Sequence, residues 1–152
     1  MDAMLEEKDI RAFVYGTTHY FEVAAQQAAT VGSPFLVTHG SPEIYDYNGI
    51  ITVSGRRRGI VCFSAPRGML TVLLMKMNES NVTHDNLCDL VGEVANTISG
   101  NVRRDCGKEF VISVPTVLTG MAVPIELPAG CRPVVIPINW RSHAAKLVVC
   151  LQ

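Results

Sequence analysis

Hydrophobic residues recur at helical spacing near the start of the chain. Between residues 5 and 29, apolar or small side chains fall every three or four positions, as in a helix with one buried face. The members of this face are Ile10, Phe13, Val14, Thr17, Phe21, Ala24 and Ala28. Gly32 and Pro34 follow, and neither continues a helix comfortably. The pattern predicts a long N-terminal helix over residues 5–29.

Short apolar runs typical of β-strands follow this helix and return at the end of the chain. The six runs are residues 35–38, 46–54, 60–64, 110–118, 132–140 and 145–151. A glycine-bounded loop joins the second and third runs, which predicts a hairpin. Arg56, Arg57 and Arg58 would lie at its exposed tip. They are either a solvated loop or a docking patch for an acidic partner.

Two helices are predicted between the two groups of strands. Pro66 can open the first, and Met69, Leu70, Leu73, Leu74 and Met77 follow at helical spacing. We interpret it as a core helix, with a methionine-rich binding groove as the alternative. Thr83 then has the character of an N-cap for a longer helix that runs to about Arg104. The order αβββααβββ indicates a single α+β domain over residues 1–152, with a largely antiparallel sheet.

Composition narrows the classes of function. The chain has 152 residues, of which 48% are hydrophobic, a size that suits one buried core. Its formal net charge of -1 favours neither nucleic acid nor an anionic membrane as a partner. No apolar stretch is long enough to span a bilayer, and the acidic start lacks the basic residues of a secretory signal. We therefore expect a cytoplasmic protein.

The cysteines and histidines show no ligand spacing. Five cysteines occur with no CxxC pair, so we expect neither a disulfide framework nor a zinc site, and most cysteines should be small buried hydrophobes. The four histidines lie far apart in sequence and are expected to be structural or exposed. No metal site and no cofactor of the chain's own is predicted.

The helix that begins after Thr83 carries an unusual polar face. At about 100° per residue, an apolar stripe forms on one side from Leu87, Val91, Val94, Ile98 and Val102. The opposite side carries Asp89, Glu93, Asn96 and Gly100. Asparagine is a poor residue inside a helix, and Gly92 and Gly100 each cost about 1 kcal/mol relative to alanine. The pattern alone leaves two interpretations open, a solvated helical face and a functional one.

The spacing Asp89-x-x-x-Glu93-x-x-Asn96, followed by Ser99-Gly100-Asn101, resembles the signature helix of the CheC, CheX and FliY phosphatases. The likeness extends along most of the chain in order. Its other parts are the Ala12-Phe13-Val14 helix, the hairpin strand 60–64, and residues 114–120 after the signature helix.

This resemblance implies a chemotaxis-type phosphatase that hydrolyses the aspartyl phosphate of a CheY-like response regulator in two-component signalling. By analogy with the family, Asn96 orients the attacking water and Glu93 forms a salt bridge with a lysine of the receiver domain. Asp89, Gly92 and Gly100 would support the site or contact the partner. The receiver would bring the Mg²⁺, and the protein would form a homodimer.

One departure separates the chain from CheC-type members, which carry a second Glu-x-x-Asn on an earlier helix. Here Glu22 is followed by Ala25 at the matching position, so the resemblance favours a single site, as in CheX. Two other functions stay open at this stage. One is a CheX-like module that docks on a receiver or signalling partner without catalysis, and the other is a structural part of a flagellar switch.

Overall fold

The computed structural model describes residues 5–107, 110–121 and 125–152. These residues form three helices and eight strands in the order αββββααββββ. The helices are α1 (Glu7–Val23), α2 (Arg67–Lys76) and α3 (His84–Cys106). The strands are β1 (Thr30–Val31), β2 (Phe35–Leu36), β3 (Tyr47–Gly55), β4 (Gly59–Ala65), β5 (Phe110–Ile112), β6 (Thr116–Thr119), β7 (Val134–Trp140) and β8 (His143–Leu151). No described helix is long and apolar enough to cross a membrane.

The strands form one antiparallel sheet, which confirms the predicted α+β class. Its order is β1-β7-β8-β4-β3-β5, with β2 also paired to β7 and β6 also paired to β3. One face carries the main core with the helices, and the other carries a smaller apolar cluster. The central strand β4 is buried along its whole length, because its side chains alternate between the two clusters.

The N-terminal helix is shorter than predicted. It ends at Val23, and the backbone turns through Gln26, which adopts a left-handed φ of 54°. The Trp140 indole N–H donates to the Gln27 carbonyl at 2.9 Å and fixes this turn against β7. Ala24 and Ala28, predicted to lie on the buried face, are therefore exposed.

The run predicted as one strand over residues 110–118 is two strands on the same neighbour. β5 pairs with the end of β3, and β6 pairs with its beginning. Between them, the Ser113 amide donates to the Thr52 carbonyl, and the Ser113 hydroxyl accepts from the Thr52 amide, both at 2.9 Å. Pro115, which has no amide hydrogen to give a ladder, lies in the break.

The predicted hairpin is present, but its arginines do not all point into solvent. Arg56 and Arg58 are exposed, whereas Arg57 folds back onto α1 and forms an ion pair with Asp9 at 3.2 Å. The same carboxylate accepts the Glu6 amide at 2.9 Å at the start of α1. Arg57 thus joins the hairpin to the helix, and a docking role for the arginine run stays a prediction.

The prediction that the cysteines are unpaired is wrong for Cys131 and Cys150. These residues form a disulfide, with their Cα atoms 6.1 Å apart. A turn in which the Cys131 amide donates to the Pro128 carbonyl lies over the outer face of β8, beside Cys150. The partners are 19 residues apart, so no local spacing indicates the pair. Cys62 is fully buried, as predicted, while Cys88 is half-buried and Cys106 is exposed.

Helix α3 lies directly on β3 at Gly49. A Cβ atom added to Gly49 would collide with the Val91 carbonyl and lie 3.1 Å from the Ala95 Cβ. Helix backbone therefore rests on strand backbone at this point. Any side chain at position 49 would push α3 away from the sheet.

We expect Gly49→Ala to lower the free energy of unfolding by about 3 kcal/mol or to prevent folding, because overpacking costs about 1–3 kcal/mol even where neighbours can move. Gly100→Ala is the matched control, since a Cβ atom there meets nothing within 4 Å. It should raise stability by up to about 1 kcal/mol through helix propensity. Urea unfolding measures the free energy of unfolding of both variants. Equal effects of the two substitutions would contradict the close backbone contact at Gly49.

Candidate active site

Helix α3, which carries the predicted residues, is capped at both ends. The Thr83 hydroxyl accepts the Asn86 amide at 3.1 Å, which confirms Thr83 as the N-cap. At the other end Gly107 adopts a φ of 84° and its amide donates to the Arg103 carbonyl at 2.8 Å. These caps mark the two ends of α3. The helix ends at Cys106, two residues beyond the predicted end at about Arg104.

The two predicted faces of α3 are both observed. The apolar stripe is at most 1% exposed, and its members are Leu87, Val91, Val94, Ile98 and Val102. Asp89, Glu93 and Asn96 are exposed on the opposite side, and Gly100 is half-buried there. Glu93 and Asn96 are three residues apart and thus neighbours on the helix surface.

The exposed face lies between two flanking elements. On one side α1 packs closely at Gly16, and the Asn101 side-chain amide donates to the Gly16 carbonyl at 3.0 Å. On the other side the β6 region packs against Gly92, where an added Cβ would lie 3.3 Å from both Pro115 and Val117. The chain's own packing therefore accounts for glycine at position 92, and its predicted contact with a partner stays a prediction.

Glu93 and Asn96 are available for a partner. Neither side chain has a hydrogen bond or ion pair within the part of the chain that the structure describes. Glu93 acts electrostatically on Tyr20 of α1, which is 3% exposed and whose hydroxyl has no hydrogen-bond partner among the described residues. Burial first, and the Glu93 carboxylate second, raise the pKa of Tyr20 above its ordinary range.

Sequence reasoning missed a polar cluster at the N-terminal end of α3. Tyr47 Oη lies 2.9 Å from His84 Nδ1, and the Arg67 guanidinium donates to the same Tyr47 oxygen at 3.3 Å. On the other side of the ring, His84 Nε2 lies 3.5 Å from Cys88 Sγ, one helical turn further along α3. The cluster ties the start of α3 to β3 and α2.

No group of three or more His, Cys, Asp or Glu side chains in residues 5–107, 110–121 and 125–152 is arranged to hold a metal ion. Asp89 and Glu93 are two exposed carboxylates one turn apart. What this face offers is an amide and a carboxylate side by side, presented from a rigid helix.

The position that matches the second motif of CheC-type proteins is not on a helix. α1 ends at Val23, and Ala25 beyond it is 1% exposed in the core. Glu22 is exposed at the last turn of α1. The structure therefore presents one Glu-x-x-Asn face among the described helices, as the departure in the sequence predicts.

Tyr20→Phe should leave stability near pH 7 unchanged or raised, because it removes a buried hydroxyl without a partner. Above about pH 10, unfolded Tyr20 ionises while folded Tyr20 keeps its proton, so the wild type loses stability with rising pH, by up to about 1.4 kcal/mol per pH unit. The variant should lose less. Urea unfolding at about pH 9 and about pH 11 tests this, and parallel losses would contradict it.

Comparisons with known proteins identify the family and the fold of this chain. A model of the family described as chemotaxis phosphatase CheX matches residues 47–139, which include β3, β4, α2 and α3. No curated protein sequence matches the chain significantly.

Solved structures give close matches of fold. A putative chemotaxis protein from Desulfovibrio vulgaris Hildenborough superposes with a TM-score of 0.84 at 20% identity, covering 99% of this chain and 100% of that one. A CheC-like superfamily protein from Shewanella sp. PV-4 gives 0.83 at 20% identity, covering 97% and 99%. The CheX–CheY–BeF₃–Mg²⁺ complex from Borrelia burgdorferi gives 0.73 at 17% identity, covering 94% and 97%. With the family model spanning more than half of its length, this chain belongs to the CheX family of chemotaxis phosphatases.

Proposed function

We propose that this protein is a phosphatase that hydrolyses the aspartyl phosphate of a CheY-like receiver domain. The observation that carries the proposal is the pair Glu93 and Asn96, exposed side by side on α3 without a partner in the described part of the chain. The family to which the chain belongs supports it. So does the Borrelia burgdorferi relative, whose structure holds CheY together with BeF₃ and Mg²⁺.

Asn96 has the chemistry to position water. Its side-chain oxygen can accept a hydrogen bond from the attacking water, while its amino group donates to a phosphoryl oxygen. An acyl phosphate is already reactive, so orientation of the nucleophile can supply the acceleration without a strong base. The comparison is with the glutamine that orients water in small GTPases.

Glu93 fixes the register between the two proteins. Its carboxylate is exposed one turn before Asn96, where it can form a salt bridge with a lysine of the receiver. That contact would hold Asn96 over the phosphoryl group. Asp89, exposed one turn further back, adds negative charge to the same face and has a supporting role in the proposal.

The receiver supplies the metal ion in this proposal. Bound Mg²⁺ commonly uses one or two carboxylates together with phosphate oxygens, and it neutralises charge on the transferring group. Asp89 and Glu93 remain free to face the receiver's lysine and do not have to share a metal. This chain's own part is to orient water and cover the phosphoryl group. The homodimer implied by the family resemblance stays a prediction.

Asn96→Ala should lower kcat for phosphate loss by about 100-fold, since losing the correct position of a reacting group commonly costs that much. Glu93→Gln should mainly raise KM by removing the charge that binds the lysine. Purified receivers from the same organism, phosphorylated with acetyl phosphate, are followed for phosphate loss with and without the protein.

Two exposed residues away from α3 provide matched controls. Asn139→Ala on β7 removes the same amide as Asn96→Ala, and Glu22→Gln on α1 removes the same charge as Glu93→Gln. Both should behave like the wild type. Binding of a receiver without faster phosphate loss would favour the non-catalytic docking module instead, and a fully active Asn96→Ala variant would overturn the role of the amide.

A further inference from the structure

The exposed face of α3 continues past Asn96 into an open notch. The notch is lined by Gly100, Arg103, Arg104, Gly107 and Ile112 and has a volume of about 310 Å³. A Cβ atom at Gly100 would meet nothing within 4 Å, so the missing side chain leaves this space open. Unlike Gly92, Gly100 therefore has no packing reason within the described chain to be glycine.

The two arginines of the notch differ in their contacts. Arg104 donates to the Asn101 side-chain oxygen, and Asn101 is itself bonded to Gly16 of α1. Arg103 is exposed and has no hydrogen bond or ion pair among the described residues. Because helical side chains lean toward the N-terminus, Arg103 extends over Gly100 in the direction of Asn96. Within residues 5–107, 110–121 and 125–152, Arg103 is thus an exposed cation without a partner beside the proposed site.

Charge is divided along this face of α3. The first half carries Asp85, Asp89 and Glu93, and the last turn carries Arg103 and Arg104. At 1.5 Å per residue, Glu93 and Arg103 are about 15 Å apart along the helix axis. A complementary partner therefore presents a cation opposite Glu93 and an anion one to two helical turns beyond the point opposite Asn96.

We infer that the notch receives a carboxylate side chain from the rim of the receiver's phosphorylation site, and that Arg103 binds it. The inference rests on the proposed function, because the receiver is its occupant. A carboxylate fits better than the phosphoryl group, which Asn96 faces. The backbone positions of Asn96 and Arg103 are about 10 Å apart along the helix axis, so the notch lies beyond the phosphoryl group. A guanidinium pairs with a carboxylate through two parallel hydrogen bonds.

The test measures Kd for the receiver that the phosphatase assay identifies, both unmodified and bound to beryllofluoride and Mg²⁺. Arg103→Gln should raise Kd about tenfold in both forms and weaken its dependence on salt, because an interfacial charge pair is lost. In turnover, the change should fall on KM more than on kcat. Arg11→Gln, an equal charge change at an exposed residue of α1, should leave Kd unchanged.

Gly100→Leu separates docking from folding. Leucine has the higher helix propensity, so this variant should be at least as stable as the wild type while its side chain fills the notch. We expect its Kd to rise about tenfold or more, as for loss of a docking contact at an interface. A stable Gly100→Leu variant with unchanged Kd would show that the notch stays empty in the complex.

The outcomes distinguish this inference from the proposed function. Normal phosphatase activity with an unchanged Kd for Arg103→Gln overturns the inference alone. A loss confined to the beryllofluoride form assigns Arg103 to the phosphoryl group and overturns the carboxylate. If the wild type acts on no receiver and binds none, the proposed function fails and the inference fails with it. Receiver variants identify the carboxylate. An Asp→Asn or Glu→Gln change in the receiver removes the partner of Arg103 if its effect on Kd is not additive with that of Arg103→Gln.

Discussion

The structure depends on the close approach of α3 to β3 at Gly49. Because no side chain separates the Val91 carbonyl from the strand, the helix lies with its backbone against the sheet. This contact fixes the rotation of α3 about its own axis. With Val91 and Ala95 turned to the core, Glu93 and Asn96 must face outward. A single missing methyl group on a strand thus determines which side chains the helix presents.

Further contacts hold α3 along its length, from its first residue to its last turns. His84 is bonded to Tyr47 at the start of α3, Gly92 packs on Pro115, and Asn101 is bonded to Gly16 near the end. These contacts reach three different parts of the fold, β3, the break before β6, and α1. Side chains carried by so rigid an element lose little further backbone freedom on docking, which favours association.

Local patterns were enough to predict α3 and its two faces, since caps and helical periodicity depend only on neighbours in sequence. Features that depend on distant residues could not be predicted this way. The end of α1 is set by Trp140, more than a hundred residues away, and the His84 cluster depends on where β3 passes α3. The Cys131–Cys150 disulfide joins a turn to a strand without local spacing. The roles proposed for Glu93 and Asn96 rest on the family resemblance, because the helical periodicity indicates only that both side chains are exposed.

The early end of α1 has a consequence for binding stoichiometry. Ala25 lies in the core beyond the last helical residue, so replacing it with asparagine would bury an amide and would not display one. A second motif would require α1 to continue by at least one turn, at the expense of the Gln27–Trp140 hydrogen bond. Under the proposed function each chain engages one receiver at a time. The number of receivers that can be bound at once therefore rises only with the number of phosphatase chains.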